Sequence, residues 1–193
     1  MEFSNLKKDI TAVLKLDKIA FSRVAGDKSA TFIGLILILG PPVINLLLAS
    51  FAFPSGFGVI FSRFMLWPMM VPALAVVGAV YGMSQVARRY FKGAGNDGGF
   101  FRVVSYAAAV LWLSIVPFIL ALFGVLEPIG IFNLIWLVGM VWIFVVAYNM
   151  LQYHHRLNDK DAVTVAAIGV IGYLALKWLL GAILVGSSFR FWF

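Results

Sequence analysis

Cysteine is absent from this chain of 193 residues, and carboxylates are scarce, with eight Asp and Glu against fifteen Lys and Arg. Without a thiol there are no disulfides, no thiolate metal site and no cysteine nucleophile. Nor do the few acidic residues form a paired-carboxylate site. No nucleophile elbow and no Ser/His/Asp set stands out along the chain. Charge of either sign is also thin, at 12% of residues against about 25% in an average soluble domain.

What fills the chain instead is apolar. Hydrophobic residues make up 63%, and mean hydropathy is +1.00. Four long stretches carry no charge: Ser29 to Ser62, Phe64 to Ala87, Val103 to Leu126 and Pro128 to His155. A fifth from Ala162 is broken only by Lys177. A bilayer core takes about 20 apolar residues per crossing helix, so the expected fold is all-α: a polytopic membrane helix bundle with five transmembrane helices, near 30–52, 64–87, 104–123, 129–151 and 162–186. The first run begins well inside the chain and exceeds the roughly 7–15 apolar residues of a signal-peptide core, so it reads as an uncleaved span.

Cations orient this bundle. Lys7, Lys8, Lys15, Lys18, Arg23 and Lys28 precede the first span, Arg88, Arg89, Lys92 and Arg102 lie between the second and third, and Arg156 and Lys160 between the fourth and fifth. The other side holds Arg63 and Arg190, with the acidic Glu127. The positive-inside rule then places the N-terminus and both basic loops in the cytoplasm and the C-terminus outside. On this view the net charge of +7 reflects topology and attraction to anionic lipid on the cytoplasmic side, not nucleic acid, because the aromatics belong to the spans and do not alternate with the cations. Trp67 and Trp136 at the outer side, Tyr90, Phe91 and Tyr153 at the inner side, and the tail Phe189-Arg190-Phe191-Trp192-Phe193 suit the headgroup level.

Residues 1–28 form a basic segment apart from the bundle of residues 29–193. Phe3, Leu6, Ile10, Val13 and Leu14 recur at spacings of three and four, with Lys7, Lys8, Lys15 and Lys18 largely off that stripe, which predicts a short amphipathic helix. The membrane surface and a protein partner are both open as its seat. Asp17 marks a break. Arg88 and Arg89 add to the same basic surface.

Inside the spans, Pro41-Pro42, Pro72 and Pro117 remove backbone donors, so at least two helices are expected to be kinked or interrupted. Pro41-Pro42 is compatible with a continuous crossing or a re-entrant hairpin. Gly78 and Gly82 form a GxxxG pair, and Gly169 and Gly172 lie on a small-residue stripe; they suit close helix packing, within the chain or in a homo-oligomer. Lys177 is the one formal charge deep in a span. It snorkels or pairs with Glu127, or it lines a substrate or proton path.

Two apparent motifs carry less than they promise. Gly93-Ala94-Gly95-Asn96-Asp97-Gly98 fits GxGxxG, but a membrane helix precedes it where a nucleotide site needs a strand, so it reads as a flexible loop. His154 and His155 are neighbours, about 100° apart on a helix, unlike same-face zinc ligands. No metal or cofactor is implied.

The order Gly98-Gly99-Phe100-Phe101-Arg102-Val103-Val104-Ser105-Tyr106-Ala107, followed by Pro117, resembles the middle segment of the Yip family of Ypt/Rab-interacting membrane proteins. The tryptophan-rich fourth span, the polar turn Leu151 to Lys160 and Asp161-Ala162 opening the fifth extend the likeness. It implies a non-enzymatic five-helix protein, linked in eukaryotes to membrane traffic through small GTPases. Those members carry an Asp-Leu-Tyr-Gly-Pro type motif before the first span, where this chain has Arg23-Val24-Ala25-Gly26-Asp27-Lys28. GTPase binding is therefore not carried over. The compact form resembles the bacterial branch, which implies the cytoplasmic (inner) membrane. Two functions are expected from all this: an interaction protein that organises lipids or protein partners as a trafficking-like or accessory subunit, or a small-solute, ion or lipid transporter using Lys177 and the proline-bearing helices.

Overall fold

The structure, a computed structural model, describes residues 3–52, 66–124 and 128–184. Expectations for Arg63, Glu127 and the aromatic tail 189–193 fall outside these residues. Among the described residues the elements are helical: α1 (Phe3–Leu14), α2 (Lys18–Gly26), α3 (Ala30–Ala52), α4 (Leu66–Tyr90), α5 (Asp97–Ala107), a 3₁₀ segment (Ala108–Ser114), α6 (Ile115–Leu122), α7 (Pro128–Tyr153) and α8 (Asp159–Leu184). Five stretches are long and apolar enough to cross a membrane: Ala30–Ala49, Trp67–Tyr90, Asp97–Leu122, Gly130–Tyr153 and Asp159–Leu184. The all-helical, five-span expectation is met.

The third span, made of α5, the 3₁₀ segment and α6, lies at the centre. It is 56% buried against 17% for α8, and α5 packs on α1, α2, α3, α4 and α7. Packing of α8 is against α4 and α7 at the edge. The helix of the third span starts at Asp97, upstream of the expected 104, because Asn96 caps it: its Oδ1 accepts the Gly99 amide at 2.6 Å. Likewise Asn158 caps α8, accepting the Asp161 amide at 2.8 Å and donating to the Asp161 carboxylate at 2.9 Å.

Proline shapes the two central spans differently. In α3 the helix is continuous through Pro41-Pro42, so this segment does not turn back. Pro41 has no N–H for the carbonyl of Leu37, four residues earlier, and Trp112 Nε1 donates to that carbonyl at 3.2 Å. One turn after Pro41, buried Asn45 Nδ2 donates to buried Ser114 Oγ at 2.8 Å. The third span is the interrupted one. Pro117 sits in the first turn of α6, where a missing donor costs little, and the irregularity is displaced to the 3₁₀ segment before it.

The N-terminal helices share the bundle's core. Val13, Ala20, Phe21 and Val24 are buried in one cluster with Phe100, Val103, Val104 and Tyr106, and Leu6 and Ile10 pack against it. The apolar stripe of α1 therefore meets protein, and α1 and α2 pack onto the bundle. The expected break comes at Leu16, whose φ of 61° is left-handed, followed by Asp17 capping α2. Arg23 Nε donates to buried Asp9 at 2.8 Å, tying α2 to α1.

Replacing Trp112 by Phe leaves the Leu37 carbonyl unserved in an apolar interior. The expected loss is about 1–3 kcal/mol of unfolding free energy in detergent. Trp178→Phe, at an exposed site, is expected to change little. Denaturant titration of both variants checks the contrast.

Candidate functional site: a polar clasp and a cavity at the basic end

The polar chemistry of the described residues gathers at the end of the bundle where the basic loops lie. Its centre is Asp97, in the first turn of α5, where the helix dipole favours a carboxylate. Three side chains from the last turns of α4 converge on it: Ser84 Oγ on Oδ1 at 2.6 Å, and Gln85 Nε2 and Arg88 Nη1 on Oδ2 at 2.5 and 2.8 Å. Arg88, expected on the basic surface, thus spends its guanidinium on this pair, while Arg89 stays exposed.

His155 comes in behind Ser84. It is fully buried beside Phe100, with Nε2 3.0 Å from Ser84 Oγ. Serine has one hydrogen and a carboxylate only accepts, so the hydroxyl proton points to Asp97 and His155 donates through Nε2–H. Its Nδ1 is then a bare acceptor with no hydrogen-bond partner among the described residues. Burial foremost, then the neighbouring His154, pushes the His155 imidazole down to about 4. Burial also lowers His154, against the hydrogen bond to the Asn96 backbone that raises it. Ser84, His155 and Asp97 do meet, but not as a nucleophilic triad. The acid touches the serine, not the back of the imidazole, and Ser84 has no exposed surface for a substrate.

The expected flexible loop is ordered by the same contacts. His154 Nε2 lies 3.1 Å from both the amide N and the carbonyl O of Asn96, and the Ala94 amide donates to the His155 carbonyl at 3.0 Å. A Cβ on Gly95 would fall 2.4 Å from the His154 ring and 2.8 Å from its carbonyl oxygen, and one on Gly99 would fall 2.9 Å from the ring. These glycines are spaces for imidazoles. The literal GxGxxG is therefore a histidine cradle, and no cluster of metal-ligating groups occurs among the described residues.

Arg102, one turn into α5, forms the second tie. Nη1 donates to the Ala25 carbonyl at the end of α2 at 2.6 Å, and Nε donates to Thr31 Oγ1 at the start of α3 at 2.9 Å. Gly98 lies against it; a Cβ there would sit 3.3 Å from the guanidinium. Between the two runs Asp27, which accepts from the Ser29 amide and hydroxyl at 2.9 and 2.7 Å; those bonds hold its carboxyl below the usual range. Phe101 is buried, stacked on Tyr81 with centroids 4.7 Å apart. Buried Tyr106 has a hydroxyl with no hydrogen-bond partner among the described residues. It closes a cavity of about 290 Å³ lined also by Asn5, Lys8, Asp9, Arg23 and Asp27.

Apart from Lys8, which lines the cavity, the remaining sequence candidates do not join this site. Gly78 packs on Leu176 and Gly169 on Met83, both between α4 and α8, whereas Gly82 and Gly172 meet no atom that a Cβ would approach within 4 Å. Pro117 is buried near the other end of the third span. Lys177 is partly buried in α8, away from the clasp, and Lys7, Lys8, Lys15 and Lys18 are exposed on α1 and around the break before α2.

Five crossing helices around a broken central span, tied at one end by short helices and a polar clasp, define a multi-pass helical membrane protein. The Yip1 domain matches residues 14–180, and the chain belongs to that family. The family is linked to membrane trafficking and its members are generally non-enzymatic. No curated protein and no solved structure matches the chain. Of the residues that carried the resemblance, Arg102 lies at the junction of α5 with α2 and α3, Phe101 stacks on Tyr81 of α4, and Gly99 lies against His154.

The depressed histidines predict acid sensitivity. An unfolded histidine takes its proton near 6.5, whereas folded His155 resists until about 4, so stability is present above 6.5 and declines as pH falls toward 4. Thermal unfolding in detergent from pH 7.5 to 4 is expected to show this decline, and His155→Gln to flatten it. Identical slopes for the two proteins would contradict the assignment.

Proposed function

We propose that this Yip1-domain protein acts by interaction, as a membrane-organising or accessory subunit whose cytoplasmic face presents a rigid basic platform to protein or anionic lipid. One observation carries the reading. At the basic end Arg23 is paired with Asp9 and Arg88 with Asp97, and Arg102 donates to the Ala25 carbonyl and the Thr31 hydroxyl, while Lys7, Lys8, Lys15, Lys18 and Arg89 are exposed. Charges that fasten helices hold the platform in shape, and the exposed ones are free to meet a partner. The excess of cations at this end supports a cytoplasmic orientation by the positive-inside rule.

Affinity capture of the full chain from native membranes in gentle detergent, with bound proteins and lipids identified by mass spectrometry, tests this. Changing Lys7, Lys8, Lys15 and Lys18 to Glu is expected to remove a stoichiometric partner that Lys177→Met retains. A protein recovered alone, with a small solute whose binding depends on Lys177, would favour transport instead.

A further inference from the structure

Four of the described residues hold a left-handed backbone, and each follows a helix: Leu16 after α1 (φ 61°), Lys92 after α4 (φ 54°), Gly124 after α6 (φ 68°) and Arg156 after α7 (φ 57°). Glycine is the usual residue at such a place, because a Cβ strains this conformation. Gly124 follows that rule, and Leu16 packs its side chain against the core. Lys92 and Arg156 do neither, since both are exposed. Their caps are built alike: the Gly93 amide donates to the Ala87 carbonyl at 2.9 Å, and the Leu157 amide to the Leu151 carbonyl at 3.1 Å.

These two cations have no answer to their charge among the described residues, where neither side chain has a hydrogen bond or an ion pair. The carboxylates nearest to them in sequence are engaged elsewhere, Asp97 by Ser84, Gln85 and Arg88, Asp159 by Tyr148 and Gln152, and Asp161 by Asn158. The fold also brings the two caps together. The Ala94 amide donates to the His155 carbonyl at 3.0 Å, and a Cβ on Gly93 would fall 2.9 Å from His155 Nδ1, so Lys92 and Arg156 each adjoin a residue of one contact. Exposed Tyr90 and Tyr153 precede them at the ends of α4 and α7, and such rings suit a headgroup level.

We propose that Lys92 and Arg156 together seat the phosphate of an anionic phospholipid in the inner leaflet. The inference rests on the reading that the basic end lies at the cytoplasmic headgroup layer, and it names cations other than those of α1. Strain kept at an exposed position has no packing to offset it, which leaves the charge of the side chain as what the position retains. The dipole of a helix end favours a cation near the last turn but does not call for one at the left-handed residue. An ammonium and a guanidinium can donate to one phosphate together. A zwitterionic lipid would bring its own cation beside these two, where the nearest carboxylates in sequence are already engaged.

The test uses the full chain purified in a mild detergent free of lipid. Short-chain phosphatidylglycerol and phosphatidylcholine are added at equal concentration, and Tm and bound lipid are read by thermal unfolding and native mass spectrometry. Phosphatidylglycerol is expected to raise Tm at least twice as far as phosphatidylcholine. With Lys92→Gly and Arg156→Gly together, at least half of that excess is expected to be lost, while Tm without lipid equals or exceeds wild type because glycine relieves both caps. Lys28→Gln with Lys160→Gln removes the same charge from other exposed positions and is expected to keep most of the excess. Equal loss in the two double variants would reduce the effect to net charge and overturn the proposal. So would equal shifts with the two lipids, an undiminished excess in the glycine variant, or a fall in its lipid-free Tm, which would make the cations structural. An equal shift from water-soluble glycerophosphoglycerol would overturn it as well, by making the occupant a free solute. The α1 lysines are intact in these variants, so partner capture succeeds or fails independently of this result.

Discussion

Hydrocarbon offers no hydrogen bond, so the polar groups that this chain carries into the membrane depend on other parts of the protein for their partners. The arrangement of the helices follows from where those partners come from. Pro41 strands the Leu37 carbonyl, and Trp112 of the third span supplies the donor; Asn45 of the same helix turns to Ser114, also in the third span. Two helices that need each other's side chains pack side by side. The third span is broken where it gives these groups, over Ala108–Ser114, and it is also the most buried.

At the basic end the same constraint produces a larger network. Asp97 and Arg102 lie within two turns of each other on α5 and reach in different directions, one to the end of α4, the other to the junction of α2 and α3. Buried His155 and the glycine loop close one flank, Asp9 and Arg23 the other. The outcome is a helical bundle whose polar end is fastened by side chains from several helices.

The spans were legible because charge-free runs of that length have few other meanings, and the family was legible in the segment from Gly98 to Pro117. Less was visible of what the polar residues do. An amphipathic stripe says that Leu6, Ile10 and Val13 bury a face; it does not say against what, and here α2 and α5 take up much of it. The run from Gly93 to Gly98 looked like a flexible loop since its purpose, room for His154 and His155, depends on residues 58 positions away from Asn96. Pro117 announced an irregular third span, but the irregularity falls before it, because the first turn of a helix accepts proline. The burial of Tyr106 and the cavity next to it arise from three separate segments meeting and have no local signature.

The central claim is that the N-terminal helices and the glycine loop are integral parts of the bundle, locked to α5. Hydrogen–deuterium exchange of the full chain in lipid nanodiscs tests it most directly. Protection of the amides of residues 8–16, 20–26 and 93–100 for minutes or longer is the predicted result, together with its loss at 93–100 in Asp97→Ala. Complete exchange of these segments within seconds, while the spans stay protected, would contradict the account.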